Sequence, residues 1–301
     1  MKAFLALCAA AATAGFGQDL TPRAYLITPI RANAVILSYS FFDGSVFTDP
    51  TLPIQNFKVR YNSEVLSYYH TFGLWGRSAN ITASLPYALG GFQATVMGMA
   101  SGVYRSGLAD GRVRLAVNLK GGPAMSAEDF KEWHEKTVLG LSLTVVAPTG
   151  QYDPARLINP SIHRWAFKPE LGLSRRWWTR LALDCYAGWW LFTPNIQYYP
   201  GTYTRTQESI GTGEVHLSYY MKPRFWASWD GNFWIGGRTT VGGIANADYQ
   251  RNSRVGMTIA IPVNQHQALK FSYSRGAYIS VGGDYTGVSA AWQYSWITGG
   301  R

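Results

Sequence analysis

Ala79-Asn80-Ile81-Thr82-Ala83-Ser84-Leu85-Pro86-Tyr87 alternates at every step: Ala79, Ile81, Ala83, Leu85 and Tyr87 are apolar or aromatic, and Asn80, Thr82, Ser84 and Pro86 stand between them. Successive side chains on a β-strand point to opposite faces, so this stretch predicts a strand with one apolar face and one polar face. The period of two returns in Val113, Leu115, Val117 and Leu119 against Arg112, Arg114 and Asn118. It returns again in Leu139, Leu141, Leu143 and Val145 against Gly140, Ser142 and Thr144. Working outward, alternating runs also cover 34–42, 57–69, 167–174, 181–192, 214–220, 225–235, 254–263, 269–274 and 285–296, which makes twelve candidate strands.

Composition limits what twelve half-polar strands can build. Only 15% of the 301 residues are charged, against about 25% in an ordinary soluble domain. Mean hydropathy is −0.09, because apolar residues are interleaved with small polar ones. No segment after the leader approaches the ~18 consecutive apolar residues of a membrane-spanning helix. The 45 aromatic residues (12 Trp, 19 Tyr, 14 Phe) are too much bulk to leave in water, which excludes disorder.

Residues 1–17 read as a secretory leader rather than a short buried helix: Lys2 supplies the basic start, residues 3–14 the short apolar stretch, and Ala12-Thr13-Ala14 or Gly15-Phe16-Gly17 the expected cleavage site. Leu7 before Cys8 argues against a lipoprotein signal. Loss of Lys2 lowers the formal net charge from +10 to +9 and leaves Cys185 as the one cysteine, so residues 18–301 form no internal disulfide. An exported chain of this size must then be held by a core or by closure of a sheet.

The connections favour closure within a membrane. Long links (43–56, 88–111, 148–166, 193–213, 236–253) alternate with tight ones (72–77, 175–180, 222–224, 264–268), as in outer-membrane barrels with periplasmic turns and long outer loops. An even count puts both termini on the periplasmic side, provided that 92–101, itself strand-like, belongs to an outer loop and adds no crossing strand. Trp177 and Trp178 lie at a tight turn, and Trp189 and Trp190 lie roughly 30 Å away along the membrane normal, a spacing suited to two interfacial belts. The expected fold is therefore all-β, a transmembrane antiparallel β-barrel of about twelve strands. The medium link 121–136 carries Ser126-Ala127-Glu128-Asp129, then Phe130 and Trp133, and predicts a short periplasmic helix at the rim.

An unpaired basic residue facing lipid at mid-bilayer costs about 2–4 kcal/mol, so the charged face of each strand is expected inside. That rule places Lys58, Arg60, Glu64, Arg112, Arg114, Lys168, Glu170, Asp184, Glu214, His216, Asp230, Arg254 and Lys270 in the lumen. Glu170, Asp184, Glu214 and Asp230 fall on four consecutive strands, with Arg112 and Arg114 before them and Arg254 and Lys270 after. Such a wall can select polar or charged solutes. It can equally fill a narrow barrel and hold its strands in register, since twelve strands lie between the ~8-stranded filled barrels and the ~16-stranded open porins.

No catalytic, metal or cofactor-binding residue is predicted. The histidines His70, His134, His163, His216 and His266 are scattered, no Gly-x-Ser-x-Gly motif occurs, and His216 lies beside strand acids as a salt-bridge member. Location argues against nucleic acid as the partner of the positive charge. Lipid, lipopolysaccharide phosphates and a small-molecule solute are the expected partners. Trp296, five residues before the end, is the terminal aromatic available to the barrel-assembly machinery.

The loops add a family likeness. Gly107-Leu108-Ala109-Asp110, Ala147-Pro148-Thr149-Gly150-Gln151-Tyr152-Asp153 and Arg164-Trp165-Ala166-Phe167-Lys168-Pro169-Glu170-Leu171-Gly172 resemble the outer-membrane family named after meta-pathway phenol degradation. The likeness continues through Gly236-Gly237-Arg238-Thr239-Thr240 and Gln250-Arg251-Asn252-Ser253-Arg254. It implies a barrel that passes small hydrophobic or aromatic compounds and brings no catalytic residue. Tyr186, Trp190, Phe192, Tyr220, Trp226 and Trp234 are candidates for a lumenal aromatic path, with 148–166 as its gate; ordinary interior packing is the competing reading. The competing function is a non-conducting structural or adhesion barrel acting through its outer loops.

Overall fold

The computed structural model describes residues 20–47, 54–178 and 180–299. The leader expected at residues 1–17 lies outside the described residues. The described strands are β1 (Ala32–Phe47), β2 (Ile54–Leu74), β3 (Arg77–Val96), β4 (Met99–Leu108) and β5 (Arg112–Lys120), followed by the single-turn helix α1 (Asp129–Glu132). Next come β6 (Thr137–Val146), β7 (Ala166–Trp177), β8 (Leu181–Phe192), β9 (Asn195–Tyr198), β10 (Tyr203–Gln207), β11 (Ile210–Lys222) and β12 (Phe225–Gly236). The chain ends with β13 (Thr239–Val241), β14 (Ile244–Ala245), β15 (Gln250–Pro262), β16 (Gln267–Ile279) and β17 (Gly282–Ile297).

Twelve of these strands close into an antiparallel barrel in the order β1-β2-β3-β5-β6-β7-β8-β11-β12-β15-β16-β17, with β17 pairing back onto β1. Closure leaves no free edge, which suits a sheet in lipid, where no water can satisfy unpaired backbone groups. The alternation sorts faces as expected over most of the wall. On β7, Lys168, Glu170 and Ser174 are buried while Leu171 and Leu173 are 48% and 45% exposed. Leu141, Leu143, Val215, Leu217, Val255 and Met257 continue the apolar outer surface around the barrel. An exposed apolar belt of that extent marks a lipid-facing surface. Trp189 joins the outer surface, whereas Trp190 turns inward and is buried, so only one of that pair belongs to a belt.

Two parts of the wall depart from the sequence expectation. On β2, Lys58, Arg60 and Glu64 point outward and are exposed, and Arg60 pairs with Asp43 on the outer surface at 2.8 Å. Phe57 and Val59 are buried inside instead. β2 has 21 residues and rises roughly 50 Å, about twice the ~25 Å apolar band. The parity that sets Leu66 and Tyr68 in lipid therefore carries the upper charges into water and turns the apolar residues inward. The second departure is 88–111, which is not an irregular loop. The upper part of β3 pairs with β4 (Tyr87↔Leu108 to Val96↔Met99) and its lower part with β5 (Ala79↔Val117 to Ser84↔Arg112). β4 and β5 thus form one descending strand broken at 109–111, and the β3–β4 hairpin projects beyond the barrel. The count of twelve crossing strands is unchanged.

The outer connections fold as well. β9, β10, β13 and β14 form a second, four-stranded sheet over the mouth. At the other end the turn leading into α1 is closed by Ser126, whose Oγ accepts from the Asp129 amide at 3.2 Å and donates to Asp129 Oδ2 at 2.8 Å.

Candidate functional site

The lumen is occupied by the chain's own residues before β1. Leu20 to Arg31 run inside the barrel, and their contacts climb from the periplasmic rim to the charged strands. Ile27 is buried against Met125 and Val138, with Phe130 and Trp133 of the α1 link packed on them. The Ile30 amide donates to the Met125 carbonyl at 2.9 Å and the Arg31 amide to the Thr71 carbonyl at 2.8 Å. The short helix therefore supports the base of this segment.

Tyr25 fills a slot cut into the wall. Gly140 and Gly172 are register partners on β6 and β7, and a Cβ on either would sit 2.2 or 2.1 Å from the Tyr25 ring. The Tyr25 hydroxyl lies 2.9 Å from Ser142 Oγ and donates to Glu170 Oε1 at 3.1 Å. The Arg114 guanidinium stacks over the ring at 4.8 Å. The Ala24 amide donates to the Tyr186 hydroxyl at 3.0 Å.

The same segment also engages the acids. Arg23 Nη1 donates to Asp184 Oδ1 at 2.9 Å, and its Nη2 bonds Glu135. Thr21 donates through its amide and hydroxyl to Glu214 Oε2 at 3.1 and 2.9 Å. Lys168 Nζ lies 2.8 Å from Glu170 Oε2 and 3.8 Å from Glu214 Oε1. His216 sits between Glu214 Oε2 (3.2 Å) and Asp230 Oδ1 (2.9 Å). Carboxylates only accept, so both contacts are hydrogen bonds only for the doubly protonated ring. Burying ions is costly unless each is paired and hydrogen-bonded, and here Glu170, Asp184, Glu214 and Asp230 each meet a basic group.

The structure thus brings Lys168, Glu170, Asp184, Glu214 and Asp230 together with Arg114 at their edge. The nearest cations of these acids are Arg23, Lys168 and His216, and of the expected flanks Arg114 alone reaches them, with Nη2 3.6 Å from Glu170 Oε1. Arg254 is buried and donates to Ser274 Oγ and the Tyr285 carbonyl, both at 3.1 Å. Arg112 and Lys270 form no ion pair among the described residues, and Lys270, paired in register with Ala260 and Ala291, is exposed. Tyr186, Trp190, Tyr220, Trp226 and Trp234 point inward and are buried. Trp234 Nε1 donates to Gln250 Oε1 at 2.7 Å, and the Arg176 guanidinium covers Tyr220 at 4.1 Å. Phe192 lies under the guanidinium of Arg164 at 4.5 Å. These rings are packed by the charged half of the lumen and expose little surface to a solute.

A second aromatic group stands on the opposite wall, where the sequence reading of β2 had expected a lipid face. Phe42 and Tyr61 stack at 4.7 Å, and Tyr61 meets Tyr285 edge-on at 5.8 Å. Phe57, Val59 and Val46 complete the cluster, with Phe92 and Ala94 packed against it.

The outer mouth is tied down by Asp110, from the Gly-Leu-Ala-Asp segment. Its carboxylate accepts from the Gly150 amide (3.0 Å), Ser161 Oγ (2.6 Å) and the Ile162 amide (2.9 Å). The 148–165 loop then reaches the small sheet: Tyr152 stacks on His163 at 4.3 Å and donates to the Gln197 carbonyl at 2.9 Å. Burial pushes the Tyr152 phenol above its usual range. No group of three or more His, Cys, Asp or Glu residues among the described residues could hold a metal ion.

Sequence reasoning missed Arg23, Tyr25, Glu135 and Asp110. One signal was available, namely the two glycines at inward positions of adjacent strands.

Comparison with known structures gives the same architecture. An outer membrane channel from Pseudomonas putida F1 is similar to this chain with a TM-score of 0.78 at 15% identity, covering 92% of this chain and 100% of its own. The transport unit of the Escherichia coli autotransporter AIDA-I is similar at 0.52 and 11% identity, covering 98% and 97%. The β domain of the Bordetella autotransporter BrkA is similar at 0.50 and 11%, covering 88% and 100%. No curated protein matches the chain. The family described as "Putative MetA-pathway of phenol degradation" matches residues 42–294, which takes in the barrel apart from 32–41 of β1 and 295–297 of β17, and the chain belongs to that family.

Proposed function

We propose that this protein is a passive outer-membrane channel for small, aromatic or hydrophobic solutes, closed at rest by its own residues 20–27. The observation that carries the reading is the nature of the obstruction. The wall is a closed twelve-stranded barrel with a polar interior, and what fills it is a segment outside the sheet, held by side-chain bonds to Asp184, Glu170 and Glu214. A barrel built only as a scaffold can be filled by its own wall residues. A separate stopper leaves a wall that stands when the stopper moves, which is how a two-state gate is made. The family description and the inward rings of Phe42, Tyr61 and Tyr285 support aromatic solutes.

The test is single-channel conductance in planar bilayers, comparing the full chain with a form lacking residues 20–27. Larger or more frequent openings in the shortened form support the channel. A shortened protein that still folds, shown by a gel mobility that changes on boiling, yet never conducts and passes no phenol, makes the barrel a scaffold or adhesin instead.

A further inference from the structure

The β3–β4 hairpin and the 153–160 segment of the outer loop enclose a cleft of about 240 Å³. Its lining is dominated by apolar atoms from Phe57, Phe92, Ala94, Val103, Leu157 and Tyr199, with Arg105 and Gln93 also reaching it. It lies outside the plugged part of the lumen, and neither the barrel closure nor the stopper accounts for it. We propose that this cleft is a capture site for a single-ring aromatic solute, the first station on the route into the channel. The proposal rests on the channel reading above and adds to it the place and class of the solute.

Size, lining and continuity support this occupant. A roughly 150 Å³ apolar cavity lined by Leu, Ile and Phe side chains holds benzene, so this half-open cleft accommodates one ring with a small polar substituent. Three aromatic side chains, Phe57, Phe92 and Tyr199, stand around it, and rings in contact gain from edge-to-face or offset packing beyond the area they bury. Arg105 is fixed in place by donating from Nε to the Ile158 carbonyl and from Nη1 to the Tyr104 carbonyl, both at 2.9 Å. It brings a fixed cation to the lining, suited to a phenol or carboxylate oxygen.

The cleft does not end blindly. Phe57 belongs also to the buried cluster with Val59 and Tyr285, against which Phe92, Phe42 and Tyr61 pack. The stacked pair Phe42–Tyr61 and the edge-on contact Tyr61–Tyr285 extend this aromatic surface. Arg254 donates to the Tyr285 carbonyl and so joins the cluster to the polar lumen. Beyond the cleft the wall continues as this packed cluster, of which Phe42, Tyr61 and Phe92 keep part of their surface open. This wall carries smaller polar groups such as Ser63 and Ser67 further along β2, in contrast to the charged half that the stopper covers.

The experiment uses the full chain in lipid nanodiscs, so that detergent tails do not compete, and follows phenol and toluene by saturation-transfer NMR. Cyclohexane and decanoate serve as non-aromatic probes. Ala94→Trp fills the cleft with a ring, and Phe92→Leu keeps bulk while removing one. Aromatic binding to the wild type that falls about tenfold or more in Ala94→Trp, and by a smaller factor in Phe92→Leu, is the expected result. Equal binding in wild type and both variants overturns the proposal, as does stronger binding of decanoate than of either aromatic, which would make the cleft an acyl-chain site. If Ala94→Trp does not fold, Phe92→Leu decides alone. Ion conductance of the same proteins separates the two readings. A conducting wild type with no aromatic binding sinks the capture site and leaves the channel, whereas aromatic binding lost in the variants of a non-conducting protein keeps the cleft and sinks the channel.

Discussion

Arg23 and Asp184 meet inside the barrel, 161 residues apart in the chain: Nη1 lies 2.9 Å from Oδ1, and neither side chain is more than 2% exposed. This pair fixes the stopper to the wall.

Asp184→Ala should destabilise the protein by about 3–5 kcal/mol, because it leaves a buried arginine with one fewer carboxylate. Arg23→Ala should be similarly costly, since Asp184 loses its arginine and Glu135 is left with Arg176, whose Nη1 lies 3.8 Å away. Thermal unfolding of the single and double variants checks the pairing: the double should lose clearly less than the sum. Additive losses would show that the two residues act independently.

Gly140→Ala or Gly172→Ala should open the channel without touching a charge. The new methyl would sit about 2 Å from the Tyr25 ring, and overpacking of this kind costs about 1–3 kcal/mol. The segment is expected to leave its slot while the barrel persists. The readout is conductance beside the heat-dependent gel shift, and unchanged conductance in both variants counts against Tyr25 as the seal.

Asp110→Ala should loosen the outer loop and spare the barrel. The carboxylate accepts three bonds from the 150–162 segment, and hydrogen bonds to a charged group contribute about 1.5–3 kcal/mol each. Limited proteolysis should cut within 148–165 in the variant, with the strands protected. A variant as resistant as wild type would locate the anchor elsewhere.

The outer sheet should respond to pH through Asp248. Its carboxylate accepts from the Thr239 amide at 2.8 Å and from Thr239 Oγ1 at 2.6 Å. Burial raises its pKa above the ordinary carboxylate value, against the opposing effect of those bonds and of Arg205. A carboxyl whose folded pKa is raised favours folding in its protonated form, so its contribution grows as pH falls into the carboxylate range and is lost as pH rises through the folded value. Protection of the Thr239 amide, corrected for the intrinsic pH dependence of exchange, should therefore increase toward acid pH. Asp248→Asn should flatten that dependence, and an identical slope in both proteins would exclude this carboxyl as its source.

How much of this was legible differs from strand to strand. Runs such as 167–174 and 214–220 disclosed both their strands and their inward faces, because one uniform environment, lipid, lay on the other side. β2 misled because the same alternation continues past the bilayer, where the outer face meets water and the sorting rule reverses. Lys58 and Arg60 look like lumenal residues only if that boundary is ignored. The short helix at Asp129–Glu132 was visible from the Ser126–Asp129 pattern before it, but the partner of its link, Ile27, was not.

The sequence alone determined a closed antiparallel barrel of twelve strands, because a period of two is local and each strand carries it independently. It also determined that Glu170, Asp184, Glu214 and Asp230 lie inside, since lipid excludes their charge. Only the tertiary structure decided what neutralises them and what fills the lumen. Thr21 reaches Glu214 across 193 residues, and Tyr25 finds its slot only where β6 and β7 align Gly140 with Gly172. Contacts between a strand and a segment outside the sheet follow no period, so they exist as information only once the barrel has closed around them.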